Sequence, residues 1–203
     1  MNNISHNSAL IIIDVQKGLD EPSWGERNNP LAEENIALVL DAWRRTGRPV
    51  YHIQHQSSNP HSSLRPNYVG SEIKDIVKPG SGEPVLQKSV NSAFIGTDLE
   101  ARLRAAGQHT VVLTGFITDH CVSTTARMAA NLGFKTIVVS DGTATFERTS
   151  YTGRHYTAEE MHESALASLH GEFATIVDTG SLLEALATAS LSDAEGPIAC
   201  GRT

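Results

Sequence analysis

Residues 9–13 read Ala-Leu-Ile-Ile-Ile and run straight into Asp14. An apolar run too short for a helix, with no polar alternation, has two faces to bury, which marks an inner strand of a parallel sheet. The carboxylate that follows it is then held at the carboxyl edge of that sheet. Runs of the same kind recur at 50–53, 85–88, 110–115, 135–140 and, more weakly, 174–177. Between them, apolar residues at helical spacing and Gly or Pro stops predict helices over 31–46, 97–106, 121–132, 158–170 and from 181 to about 187, with a weak helical stretch at 72–77. Strands that alternate with helices need right-handed crossovers, which lay helices on both faces of the sheet, so the fold class is α/β, doubly wound. Residues 56–70, rich in Ser, Asn, Pro and His, lead past the weak helical stretch to the turn cluster 79–84 and form one long irregular connection. Neither an internal repeat nor a dividing linker is visible. One domain is expected over 1–186, with the Ala/Ser/Gly-rich segment 187–203 as a weakly held tail.

Charge narrows the partners. Sixteen Lys plus Arg stand against 23 Asp plus Glu, a formal net charge of −7, so phosphate backbones and anionic membranes are repelled and neither nucleic acid nor a membrane is an expected partner. The opening MNNISHNSAL has no basic segment, and its apolar run is far shorter than a signal core or a membrane span, which predicts a cytoplasmic location. Two cysteines, Cys121 and Cys200, make no disulfide framework. Cys200 falls in the small-residue tail, which leaves Cys121 to be explained by other means.

Ligands of an open parallel sheet bind beyond the carboxyl ends of the strands, where strand order reverses. Asp14 follows the first strand, Lys88 closes the third, and Cys121 lies just past the fourth at a helix start. Taken singly, each has an ordinary reading: a turn or cap carboxylate, a solvated ammonium, a small buried hydrophobe. Taken together at three strand ends they read as one site, with Cys121 as nucleophile. A helix N-terminus and a nearby Lys both favour thiolate over a thiol of pKa about 8.5, and Asp14 is in position to take the proton. Neither G-x-G-x-x-G nor a P-loop motif occurs, so a nucleotide-binding module is disfavoured.

Three segments carry a resemblance: Leu10-Ile-Ile-Ile-Asp14-Val-Gln16, Lys88-Ser-Val-Asn-Ser-Ala-Phe94 followed by Gly96-Thr97, and Thr114-Gly-Phe-Ile-Thr-Asp-His-Cys121-Val122. In this order they resemble the isochorismatase-like cysteine hydrolases, a family that includes nicotinamidases, N-carbamoylsarcosine amidases, ureidoacrylate and maleamate amidohydrolases, and isochorismatase itself. The resemblance implies a six-stranded, mainly parallel sheet and a triad of Asp14 as proton acceptor, Lys88 as its charged partner and Cys121 as nucleophile. It further implies a cis peptide at Phe116-Ile117, with the backbone N–H groups of Ile117 and Cys121 forming an oxyanion hole, no cofactor, and a homo-oligomer of two or more chains.

Two departures separate the chain from named members. Nicotinamidases carry an Asp and His metal motif soon after the second strand, whereas residues 50–60 contain no acid. The histidines nearby, His52, His55 and His61, lack an anchoring carboxylate, so no metal is expected, and His55 reads as a pocket wall or hydrogen-bonding residue. Members that hydrolyse vinyl ethers without a nucleophile lack the cysteine, which Cys121 argues against. Trp24, Phe94, Phe146 and Tyr151 fall in or beside segments bordering the strand ends and read either as pocket walls for a small, flat substrate or as ordinary packing. Asp119 and His120 flank the nucleophile and read either as tuning groups or as helix-start residues. The leading function is hydrolysis of a C–N bond in a small amide, carbamoyl, ureido or lactam compound through a Cys121 thioester. Its alternatives are cofactor-free vinyl-ether hydrolysis with Asp14 as acid, and a catalytically inactive binding homologue.

Overall fold

In a computed structural model of the chain, residues 4–194 are described, with side chains described up to residue 188. The all-apolar run forms β1 (Ala9–Ile13), every residue of which is buried, flanked on one side by β2 (Val50–His55) and on the other by β4 (Thr110–Phe116). β3 (Val85–Lys88) lies outside β2, and β5 (Lys135–Ala144) and β8 (Thr175–Val177) lie beyond β4. The order is β3-β2-β1-β4-β5-β8 and each pairing is parallel. A separate two-stranded hairpin, β6 (Arg148–Thr149) with β7 (His155–Tyr156), follows β5.

Chain order reverses at β1, because β2 and β3 lie to one side of it and β4 to the other. The crevice at the carboxyl ends of β1 and β4 is therefore the place where a ligand reaches the sheet. Helices α1 (Ala32–Arg45) and α5 (Thr179–Ala194) cover one face, and α2 (Leu99–Ala105), α3 (Ser123–Asn131) and α4 (Ala158–Leu169) cover the other. Alternate residues of β1 feed the two cores: Leu10 and Ile12 join Ile36, Leu40 and Trp43 of α1, while Ile11 and Ile13 join Leu103 of α2 and Ala126 of α3. Full burial of such side chains stabilises by about 1.5–3 kcal/mol each, which accounts for an all-apolar β1. α4 begins in a capping box: Thr157 Oγ1 accepts from the Glu160 N–H and the Glu160 carboxylate accepts from the Thr157 N–H.

Four local features differ from the sequence expectation. The stretch 72–77 is not an α-helix: it follows the 3-10 turn Val69–Ser71 and holds only the single 3-10 turn Asp75–Val77. β5 does not stop at Ser140, since the Ser-Asp-Gly-Thr sequence that resembles a turn is absorbed by a register shift opposite Leu113 and Gly115, after which Gly115 pairs with Thr143. α5 continues to Ala194, beyond the expected helix end near 187, and Cys200 lies outside the described residues. The helix expected to begin at Cys121 begins at Ser123 instead, after a widened turn over Thr118–Val122 closed by the Val122 N–H on the Ile117 carbonyl at 3.2 Å. Among the described residues, no helix is long and apolar enough to cross a membrane.

Candidate active site

Four strand ends converge at the crevice. Ile13 stands opposite Ile53 of β2 and Gly115 of β4, and His55 of β2 stands opposite Lys88 of β3. Asp14, one residue beyond β1, adopts a left-handed backbone with φ 54°, a conformation that Asp and Asn tolerate better than other side-chain-bearing residues. Its N–H donates to the Ile53 carbonyl (2.9 Å) and its own carbonyl accepts from Gln16 (2.9 Å). The Gln16 side chain completes the corner: its amide donates to the carbonyls of His55 (2.9 Å) and Ser71 (2.8 Å), and its oxygen accepts from the His55 N–H (2.7 Å).

The Lys88 ammonium sits at the centre of the convergence, its side chain 0% exposed against 3% for Asp14. It donates to Asp14 Oδ2 at 2.6 Å and to the Cys121 sulfur at 3.4 Å, and lies 3.1 Å from His55 Nδ1. An ammonium has three donors and no acceptor, so Nδ1 of His55 is the acceptor and the ring carries its proton on Nε2. Burial, reinforced by Lys88, holds the His55 imidazole below its ordinary range, consistent with a neutral ring. A carboxylate oxygen of Asp14, a ring nitrogen of His55 and the Cys121 sulfur lie within 4.8 Å of one another. Such a trio could ligate a metal, but the ammonium already occupies its interior. The other two histidines do not join it, since His52 is buried against Glu83 (2.8 Å) and His61 is exposed.

The electrostatics correct one expectation. Burial, then the Asp14 carboxylate, push the Cys121 thiol up to about 12 and outweigh Lys88, so the surroundings oppose the thiolate that the helix-start position and Lys88 were expected to favour. Burial also raises Asp14 above the usual carboxylate range against the opposing pull of Lys88. Asp14 Oδ1 is buried and has no hydrogen-bond partner. A carboxylate of raised basicity thus stands beside a protonated thiol, an arrangement that allows proton transfer between them.

The turn bearing Cys121 is pinned from both sides. Thr118 bonds His162 Nδ1 of α4 at 3.0 Å, and Asp119 accepts from the Thr145 hydroxyl and from Arg148 (3.0 Å). The Phe116-Ile117 peptide is cis. Directly before it, Gly115 has φ 112° and passes so close to Ile13 that any Cβ would meet the strand backbone.

A cavity of about 190 Å³ opens over Cys121, walled by Leu19, Trp24, Leu64, Phe116 and Ile117 on its apolar side and by Asp14, His55, Asn91 and His120 on its polar side. Trp24 and His55 therefore lie where the sequence placed them. Phe146 stands behind the wall, stacked on Trp24 with ring centroids 5.4 Å apart. Phe94 and Tyr151 do not border the cavity: Phe94 is buried against Phe134 at 5.8 Å, and Tyr151 is 102% exposed at the tip of the β6–β7 hairpin. Leu19 and Leu64 had no signal in the sequence, because non-periodic segments between the strands bring them in, whereas Asn91 and Phe116, at the end of β4, lay within the motif segments without being singled out as walls. The contact of His55 with Lys88 becomes predictable only once β2 and β3 are paired in register.

The Isochorismatase domain family matches residues 8–181. The chain belongs to the isochorismatase family. It is 50% identical over 180 residues to the uncharacterized isochorismatase family protein YrdC of Bacillus subtilis, covering 89% of this chain and 96% of that one. The crystal structure of an isochorismatase-family hydrolase from Chromobacterium violaceum superposes with a TM-score of 0.89 at 44% identity, covering 93% of this chain and 97% of that one. Maleamate amidohydrolase of Pseudomonas putida is 31% identical over 200 residues, 88% of each chain. As an isochorismatase-family hydrolase, the chain shares its fold with proteins that include amidohydrolases.

Proposed function

We propose that the chain hydrolyses the C–N bond of a small amide-type compound through a covalent Cys121 thioester. The observation that carries this reading is the Lys88 ammonium held between Asp14 Oδ2 (2.6 Å) and the Cys121 sulfur (3.4 Å) beneath a small cavity. As the sulfur attacks the substrate carbonyl carbon, its proton passes to Asp14, the C–S bond forms and the carbonyl π electrons move to oxygen. Lys88 remains protonated and balances the charge that crosses from Asp14 to sulfur and oxygen. The N–H groups of Ile117 and Cys121 are the proposed donors to that oxyanion. Collapse breaks the C–N bond, and Asp14 returns the proton to the departing nitrogen. Water then attacks the thioester, giving its proton to Asp14, and the released sulfur takes that proton back.

A panel of small amides, ureides and lactams, screened for released ammonia or amine, identifies a substrate, and mass spectrometry of quenched enzyme reads the acyl adduct on Cys121. Cys121→Ala is expected to lose turnover by about 10³-fold or more with its thermal midpoint little changed. A Cys121→Ala protein that retains turnover would replace thiol catalysis by acid chemistry on Asp14, as in vinyl-ether hydrolysis. Activity is expected to survive prolonged incubation with EDTA, because the ammonium fills the space between the three potential ligands. Loss with chelator and recovery with zinc or manganese would contradict that arrangement.

A further inference from the structure

We infer that the Cys121 cavity selects uncharged, compact substrates and excludes carboxylates. The inference rests on the proposed cysteine hydrolysis for its chemistry, but its evidence is the distribution of charge around the cavity. No Lys or Arg side chain lines it among the described residues. The one ammonium beneath it, Lys88, has all three protons directed at Asp14, His55 and Cys121, so none remains for a ligand. None of the neighbouring cations lines the cavity. Arg27 grips both oxygens of Glu33 (2.7 and 2.8 Å), Lys74 binds Asp20 and Glu33, and Arg65 stacks on Tyr68 while donating to the Ser62 carbonyl. Arg148 binds Asp119 through Nε, while its Nη2 is buried without a hydrogen-bond partner.

Both histidines in the wall are held below the ordinary imidazole range, chiefly by burial, and so bring no positive charge at neutral pH. A substrate carboxylate would therefore enter a partly apolar space, facing Asp14 and with Asp119 behind it, without a counterion. Such burial of an unpaired charge is strongly disfavoured. Size adds a second limit. A space of about 190 Å³ lies below the roughly 300–1,000 Å³ of ordinary small-molecule pockets. That suits a substrate of few heavy atoms, with one flank against Trp24, Leu64 and Phe116 and a polar edge toward Asn91 and His120.

Alkylation of Cys121 tests this without knowledge of the substrate, because iodoacetamide and iodoacetate have nearly the same size and differ in charge. Rates on the full chain at pH 9 are read by peptide mass spectrometry, with Cys121→Ala confirming the labelled site, and each is divided by the rate for a small free thiol. The normalised preference for iodoacetamide is expected to exceed about tenfold, one pKa-unit equivalent of discrimination. Asn91→Lys, in an exposed part of the wall, supplies the missing cation and is expected to reduce that preference by about fivefold or more. Equal normalised rates in the wild type would overturn the inference while leaving thiol catalysis intact. Failure of iodoacetamide to label Cys121 would overturn it too, since the cavity would not admit even the smallest neutral amide. A Cys121→Ala protein with full turnover bears instead on the proposed reaction.

Discussion

Asp14→Asn is expected to drive two properties of Cys121 in opposite directions: hydrolysis falls by about 10³-fold, while alkylation by iodoacetamide at pH 8 becomes faster. The carboxylate has two effects on the sulfur. In the proposed reaction it is the proton acceptor, and its negative charge is, after burial, the largest influence pushing the thiol up to about 12. The amide of Asn removes both. With Lys88 still 3.4 Å from the sulfur, the nearest charge is then positive and the thiol titrates lower. In the wild type, alkylation should rise about tenfold per pH unit from pH 7 toward the region of 12, following the thiolate fraction. In Asp14→Asn that profile should move to lower pH by at least about one unit, a tenfold gain at fixed pH. Asn suits the left-handed backbone at this position, φ 54°, and its oxygen can still accept from Lys88, so loss of fold is not the expected cause of lost activity. A variant that is slow in both hydrolysis and alkylation would mean that Asp14 supports the thiolate and does not serve as its proton acceptor.

Gly115→Ala is expected to destabilise the protein by about 4 kcal/mol or more, the range reached when a change combines a forbidden backbone conformation with a backbone clash. At φ 112° the position is closed to ordinary L side chains, and an added Cβ would lie 2.7 Å from the Ile13 nitrogen and 2.8 Å from its carbonyl carbon, nearer still to its oxygen. These atoms belong to the β1 backbone immediately before Asp14, and a strand in the sheet centre has no room to retreat. Gly133→Ala provides the contrast. It also has a positive φ, 85°, but nothing within 4 Å of the added carbon, so its cost is the conformational one alone, about 1 kcal/mol. Denaturant unfolding of both variants separates the cases. Equal midpoints would mean that the close approach of β4 to β1 relaxes without cost.

The two variants probe the two ways in which this site was readable. Asp14, Lys88 and Cys121 were legible because each follows or ends an apolar run or opens a helix, and strand ends in such a sheet share an edge wherever they fall in the chain. Gly115 was legible only as a neighbour of the nucleophile turn; its need for a backbone without Cβ comes from Ile13, which is remote in sequence. The expectation that the surroundings favour the thiolate meets an opposing effect for a related reason. The helix-start position and the nearby Lys were visible in sequence, but the depth of burial and the distance of Asp14 from the sulfur were not, and those two decide the sign of the shift.

What the sequence determined by itself was the sheet, its alternation with helices and the three residues at its edge, because hydrophobic periodicity is a local property that burial enforces residue by residue. The register that sets His55 against Lys88, the loops that carry Leu19, Leu64 and Asn91 over Cys121, and the placement of Phe94 in the core and Tyr151 in solvent were decided only by tertiary structure. Those features depend on contacts between distant segments without periodic pattern. The charge state of the thiol belongs with them, since it is set by how little water the assembled fold leaves around the sulfur.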